Sequence, residues 1–513
     1  MLKRAIWSSL LAGAVAIAGC GTNPMGWLGG SASGMHASKA KAGNVSTPDW
    51  AKNAVFYQIF PERFCNGDPS NDPQGVQPWG GTPTFNNFMG GDLQGVTQKL
   101  PYLKQLGVTA LYFNPIFTSS SNHKYNTGDY MHVDPHFGGD AAFHTMLQTA
   151  HSLGLKVILD GVFNHTGDDN AMFVDCKTNG QKSPFWGWYH IFGFPIVTSP
   201  QPNYDSWWGF GTLPKLMVAS NPDVQNYIYS VEEKWLKEGI DGWRLDVPNE
   251  IASDDFWRGF RSRAKAINPN AYIVGEIWTD ASHWLQGDQF DSVMNYVWRG
   301  NVDNFFANQT MNVDQLDQAL LGQLNEYDPQ ISQVMFNIMD SHDVPRFLTD
   351  CGGDTAKQKL AVLFQMTFPG TPVVYYGDEI GMQGAKDPDN RRCYEWNPAN
   401  QNRDVQNFYK TVIALRNQNA ALRTGTFRSF LRHNDFNLYA YVRELGASKI
   451  AVMLNNSNQV RDWNLDVSSV FPNGTTVTDP LARQTYTVAN GTVALHLNPK
   501  QGVVLMPTAT KRR

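Results

Sequence analysis

The side chains that could do chemistry sit just past short apolar runs. Asp160 closes KVILDGV (156–162), with Asn164 and His165 after it. Arg244 and Asp246 close GWRLD (242–246), Glu276 closes YIVGEI (272–277), and His342 and Asp343 follow QVMFNIM (333–339). Carboxylates from separate strands that converge on one cleft repel one another and shift each other's pKa. Arg244, two residues before Asp246, is placed to hold that carboxylate ionised. No G-x-S-x-G and no H-E-x-x-H motif occurs, so a nucleophile elbow or a zincin site is not indicated. Two carboxylates with opposite protonation demands suit glycosidic bond hydrolysis: one attacks or stabilises positive charge, the other donates a proton to the leaving oxygen. Read one at a time, each acid could equally be a helix cap or a surface charge; their joint placement at strand ends carries the reading.

The elements that must position these residues repeat from Ala54 onward. Eight β-branched and aromatic runs alternate with helical stretches: 54–60, 110–116, 156–162, 242–246, 272–277, 290–295, 333–339 and 371–377. Near-continuous apolar strands indicate a parallel sheet buried on both faces. Eight such units indicate an α/β chain with a (β/α)8 TIM barrel over 49–420, whose chemistry belongs at the carboxyl ends of the strands. A doubly wound open sheet would want a glycine fingerprint after the first strand, and PERFCNG is not one. Strands three and four lie about 80 residues apart, so an insert at 166–218, rich in Trp, Tyr, Phe, Gly and Pro, is expected over the barrel mouth. From 421 to 513 alternating strands and Asn-Gly turns predict a C-terminal antiparallel β-sandwich.

The remaining composition narrows the class. The chain has 513 residues, net charge −5, 17% charged and 12% aromatic residues; no basic surplus recommends a nucleic-acid partner. Residues 1–20 read as a signal peptide ending in Ile17-Ala18-Gly19-Cys20. That ending resembles a bacterial lipobox, which implies lipidation at Cys20, export and a membrane contact only through that anchor. Residues 21–48 read as a flexible tether. Cys65, Cys176, Cys351 and Cys393 form no C-x-x-C pair; an exported chain could join two of them, with the pairing open. Asn66, Asp68, Asn71 and Asp72, with Gly90 and Asp92 beyond, concentrate hard oxygen donors that suit Ca²⁺; an Asx-turn loop without an ion is the plainer reading.

DGVFNH (160–165), GWRLDVPNE (242–250), GEIW (275–278) and FNIMDSHDVPR (336–346) together resemble glycoside hydrolase family 13, the α-amylase family, over about 49–507. The resemblance implies Asp246 as nucleophile, Glu276 as general acid/base and Asp343 as transition-state stabiliser. It implies sugar contacts by His123, Tyr125, His165, Arg244, His342, Asp387 and Arg391, with Tyr125 a stacking platform, and it implies the same loop as a calcium site. Asn249-Glu250, LPKL (213–216) and WWGFG (207–211) resemble the neopullulanase, cyclomaltodextrinase and maltogenic amylase branch. Leu213, Met217 and Pro248 depart from its pattern. That branch usually carries an N-terminal β domain that builds a dimer; only the tether precedes this barrel, so a monomer with an open cleft is expected. The implied activity is retaining hydrolysis of α-glucans such as starch, maltodextrins, pullulan or cyclodextrins. The alternatives are a glucan transglycosylase and a non-catalytic glucan-binding surface lipoprotein. Of the insert's aromatics, Trp186, Trp188, Tyr189, Trp207, Trp208 and Phe210, most are expected in a small core and one or two, near 207–210, at the cleft.

Overall fold

The computed structural model describes residues 45–508 and the pair His36–Ala37; the signal peptide, Cys20 and most of the tether lie outside the described residues. Eight parallel strands build the barrel: β1 (Phe56–Ile59), β2 (Ala110–Phe113), β3 (Lys156–Gly161), β4 (Gly242–Leu245), β5 (Tyr272–Gly275), β6 (Ser292–Val293), β7 (Phe336–Ile338) and β8 (Thr371–Tyr375). They pair in the order β7-β8-β1-β2-β3-β4-β5-β6, and a parallel bridge between Met294 and Phe336 closes the ring. The eight runs read from the sequence are these strands, although the sixth shrinks to two residues.

Period-two alternation sorts the strand side chains into two buried sets. Phe56, Tyr112, Ile158, Val274, Phe336 and Val373 fill the barrel interior. Tyr57, Leu111, Val157, Trp243 and Ile273 face the surrounding helices. The rings of Phe56 and Phe336, on non-neighbouring strands, meet at 4.9 Å. Filled from within, the barrel is a packed core and can offer a site only at its loop ends.

The insert has little regular structure. Helix Ala171–Asn179 and short antiparallel bridges, His165 to Lys215 and Tyr189 to Leu216, hold it together. Phe173 packs edge-on against Tyr189 and Tyr204, each at 4.8 Å, to form its small core.

After β8 and its helices, strands Thr426–His433, Leu438–Leu445, Ser448–Asn455, Gln501–Pro507, Thr476–Asp479 and Gln484–Thr487 form one antiparallel sheet. Arg461–Asp466 and Thr492–Leu497 pair separately, and both groups bury one core including Val442, Met453, Leu465, Val493 and Leu505. Two of these strands lack a simple alternation of apolar and polar residues. Thr426–His433 carries Arg428 and Arg432 and shifts register between Ser429 and Leu431; Arg461–Asp466 is mostly polar.

Two expectations are corrected. The span 21–48 is not wholly a free tether: His36–Ala37 pairs antiparallel with Arg428 and Ser429, using an edge that otherwise presents unpaired backbone groups. The Ser46 carbonyl accepts from Arg261, and the Thr47 hydroxyl donates to the Gln330 carbonyl. The four cysteines Cys65, Cys176, Cys351 and Cys393 are buried and free, so no two of them join. Among the described residues no helix is long and apolar enough to cross a membrane.

Candidate active site

Asp160, Arg244, Asp246, Glu276, His342 and Asp343 all stand at the carboxyl end of the barrel, on or just after β3, β4, β5 and β7. Arg244 organises them. Its guanidinium is fully buried. One amino nitrogen, Nη1, donates to both oxygens of Asp160 at 2.8 and 3.0 Å and to Asp246 Oδ1 at 3.0 Å. The other, Nη2, ion-pairs with Glu276 Oε2 at 2.9 Å. Such a fork can address three carboxylates only because it is planar and rigid. Burial pushes Asp246 well up, and the Arg244 charge opposes it. Three carboxylates around one cation carry surplus negative charge, so the cluster favours retaining a proton. Burial raises Asp160 as well, opposed by Arg244 and by the Tyr112 and Tyr125 hydroxyls, which donate to it at 2.8 and 2.9 Å.

Glu276 is aimed by two further donors. The Val247 amide reaches its Oε2 at 3.0 Å and the Trp278 indole N–H its Oε1 at 3.2 Å. Trp278 lies flat on Tyr296, with ring centroids 3.7 Å apart, which fixes the indole's direction.

A second chain of hydrogen bonds orients the histidines. The Gln58 amide nitrogen lies 2.9 Å from His342 Nδ1, and Tyr125 Oη lies 2.6 Å from His342 Nε2. With Nδ1 accepting from Gln58, Nε2 carries the proton and faces Tyr125 and, at 3.2 Å, Asp343 Oδ1. His165 Nδ1 is 3.2 Å from the Asn164 amide nitrogen, so its Nε2 is the N–H, and this buried atom has no partner. His123 Nδ1 accepts from the Tyr125 backbone N–H at 3.1 Å. Burial holds His123 and His165 neutral, down to about 3, and lowers His342 well below its usual value. All three therefore act as neutral hydrogen-bonding groups. Tyr125 stacks between His342 and His123 at 5.4 and 5.8 Å, so it clamps the site as well as offering a ring.

Asp343 Oδ2 is buried without a partner, and burial with the nearby Glu276 charge raises Asp343 to about 7. Arg391 faces it at 3.8 Å, pairs with Asp387 at 3.2 Å and donates Nε to the His342 carbonyl at 3.0 Å. The structure thus links Asp246, Glu276, Asp343, His123, Tyr125, Arg244, His342, Asp387 and Arg391 in one network, while His165 bonds Asn164 outside it.

Sequence reasoning missed several of its members. The Asn390 amide donates to the carbonyls of Ser341, His342 and Val344 at 3.2, 2.8 and 2.9 Å, clasping the turn that carries His342 and Asp343. Gln58, Asn114, Tyr112 and Trp278 also escaped notice. Their partners lie up to 284 residues away in sequence, and only the position of Trp278 beside Glu276 offered a local signal.

The loop of Asn66, Asp68, Asn71, Asp72, Gly90 and Asp92 is compact. Asp92 caps helix Leu93–Leu106 through the Gly95 amide at 2.6 Å and also accepts from the Gly67 and Asp68 amides. Asp68 accepts from Ser70. These two carboxylates already serve the loop. By contrast, the Oδ1 atoms of Asn66 and Asn71 are buried with no partner. Gly90 (φ +81) packs so tightly that a Cβ would fall 2.2 Å from Asp72 Oδ1. Among the described residues no three acidic, histidine or cysteine side chains converge as a metal cage. A hard cation here would rest on amide oxygens beside Asp72, a donor set that fits Ca²⁺.

The insert reaches the site through its aromatics. Trp207 stacks on His165 at 5.5 Å, while Trp208 and Phe210 are exposed. Tyr189 is core, and Trp186 and Trp188 are half-buried.

Residues 58–425 match the family model described as alpha amylase, catalytic domain. The chain belongs to the α-amylase family of glycoside hydrolases. This family member is 47% identical over 486 residues to neopullulanase 2 of Thermoactinomyces vulgaris, covering 92% of this chain and 82% of that one. It is 48% identical over 417 residues to a cyclomaltodextrinase of Thermoanaerobacter pseudethanolicus, covering 80% and 71%. Among solved structures it resembles the cyclic α-maltosyl-(1→6)-maltose hydrolase of Arthrobacter globiformis, at TM-score 0.83 and 36% identity, over 90% of this chain and 100% of that one.

Proposed function

We propose that this enzyme is a retaining α-glucan hydrolase that cleaves α-1,4-glucosidic bonds in starch, maltodextrins, pullulan or cyclodextrins. The observation that carries the reading is the shared guanidinium: Asp246 and Glu276, from neighbouring strands, sit on the two amino nitrogens of Arg244. Two carboxylates held that close suit double displacement, in which they flank one scissile bond without room for an intervening water.

Glu276 protonates the glycosidic oxygen while Asp246 attacks the anomeric carbon, giving a covalent glucosyl–enzyme. Glu276, now a carboxylate, takes a proton from water, which attacks the same carbon and releases Asp246. His342 and Asp343, beside each other above β7, bond ring hydroxyls more tightly as the sugar flattens towards the oxocarbenium ion. His165 Nε2, buried and unpartnered, is a further N–H donor for the sugar.

The similarity to a neopullulanase and a cyclomaltodextrinase supports α-glucans as the substrate class. Ca²⁺ in the 66–92 loop would neutralise Asp72 and fill the orphaned amide oxygens; it takes no part in the steps above. The lipobox-like ending at Cys20 supports export and a lipid anchor. The decisive experiment resolves the products from starch, pullulan and β-cyclodextrin. Panose from pullulan is expected; maltotriose would count against this branch, and no hydrolysis of any would sink the function. Glu276→Gln should reduce turnover by at least about a thousandfold, and full activity in that variant would overturn the assignment.

A further inference from the structure

Lys124 has no place in the mechanism above, yet it lies between two residues of the site. Its side chain is fully buried, and its backbone is left-handed at φ +62. A residue with a Cβ avoids that region unless its surroundings enforce it, and such positions concentrate at functional sites. Here the enforcing contacts belong to one ammonium. Nζ donates to Asp134 Oδ2 at 2.7 Å and to the Ser119 carbonyl at 3.0 Å. It also lies 5.0 and 5.6 Å from the ring centroids of Phe137 and Phe88. Asp134 is occupied in turn, accepting from the Ser119 and His136 amides at 2.9 and 2.8 Å. Ser119 ends strand Phe117–Ser119, and Asp134 directly follows that strand's partner, Thr127–Val133. The ammonium therefore ties the loop 120–126 to both strands of the ribbon that carries it.

We infer that Lys124 is a positioning residue for the glycosidic reaction: its buried ammonium sets the turn that aims His123 and Tyr125 at the reacting sugar. The inference rests on the hydrolase reading above. Packing alone does not ask for a charge here, since an apolar side chain would meet Phe88 and Phe137 without losing hydration. A buried ion pair is weak evidence for stability, and its best-attested use is to fix register. Register is what this turn supplies. Across Lys124, His123 Nδ1 accepts from the Tyr125 amide at 3.1 Å, and the two rings lie 5.8 Å apart at 29°. The Lys124 amide itself donates to Ser121 Oγ at 3.0 Å, which closes the turn from the other side. Beyond the turn, the Tyr125 hydroxyl reaches Asp160 and His342 at 2.9 and 2.6 Å. A displaced turn would move these contacts together, and small misplacements of positioning groups cost turnover steeply.

The test asks whether Lys124 acts through the residue beside it. Turnover of 4-nitrophenyl α-maltoside is measured for the wild type, Lys124→Met, Tyr125→Ala and the double variant, each below its melting temperature. Lys124→Met should lower kcat at least about tenfold, with KM within about threefold of the wild type's. In the Tyr125→Ala background the same substitution should cost less than about threefold, because the ring it positions is gone. Lys124→Gly, which accepts the left-handed backbone but has no ammonium, should lose kcat as Lys124→Met does. Equal losses in both backgrounds, wild-type kcat in either Lys124 variant, or failure of both to fold would overturn the positioning role. A wild type inert on this substrate and on maltoheptaose would instead overturn the hydrolase reading on which the inference rests.

Discussion

Replacing Arg244 by methionine removes the one cation shared by Asp160, Asp246 and Glu276 while keeping most of the volume. The 3.0 Å contact to Asp246 is worth at most about 5 kcal/mol at an effective dielectric constant of 20. That ceiling corresponds to about 4 pK units at Asp246. Water entering the space beside methionine screens part of it, leaving a shift of about 2 units. Burial already pushes Asp246 up and Arg244 opposes this, so losing the cation moves it further up. In the proposed mechanism Asp246 attacks only when ionised, so the acid limb of kcat/KM should move to higher pH by about 2 units, and the rate on that limb should fall about a hundredfold. Arg244→Lys restores a charge but not the planar fork, and should fall between the two. The assay is the pH profile of kcat/KM on maltoheptaose for the three proteins. An acid limb at the wild-type pH in Arg244→Met, whatever the overall rate, would refute this account of how the nucleophile is kept ionised.

Glu232 is buried with both carboxylate oxygens unpartnered, and burial pushes it up to about 10, assisted by the neighbouring Glu233 charge. Its folded pKa is above the unfolded value, so its cost is absent below about pH 4.5 and grows by about 1.4 kcal/mol per pH unit up to its folded value. Glu232→Met should therefore stabilise the protein by roughly 3 kcal/mol at pH 7; denaturant melts at pH 5 and pH 8 should show the gain shrinking towards acid. Asn390→Leu takes a donor from three carbonyls of the turn bearing His342 and Asp343; that of His342 keeps Arg391, so the loss is about 1–3 kcal/mol for each of the Ser341 and Val344 carbonyls left unmet. It should lower kcat by at least about tenfold with little change in KM, and steady-state kinetics beside a melting curve would separate misplacement from unfolding. Gly90→Ala should abolish the Tm difference between calcium-loaded and chelator-treated protein, because the added methyl occupies the space beside Asp72 Oδ1 and Asn66; a calcium-dependent Tm shift equal to the wild type's would remove this loop as the metal site.

What the sequence by itself determined is local and periodic. Eight apolar runs specify the barrel because each strand, buried on both faces, must be continuously apolar. The acids at their ends are legible because a parallel strand delivers its last residues to one rim. The helical stretches between them, such as Leu93–Leu106 and Pro222–Lys237, follow from the same alternation of runs. Strand Thr426–His433 is not legible in this way, since its arginines answer to partners such as Asp317 on a distant helix. The tertiary structure alone decided which groups share atoms. It put Asp160, Asp246 and Glu276 on one guanidinium, pointed Gln58 at His342, and turned Asn390 onto the loop of Asp343. It also separated the insert's aromatics into core rings such as Tyr189 and a stack in which Trp207 lies between His165 and Trp208. Those choices depend on barrel closure and on side-chain directions set by packing, and a linear pattern of residue types carries neither.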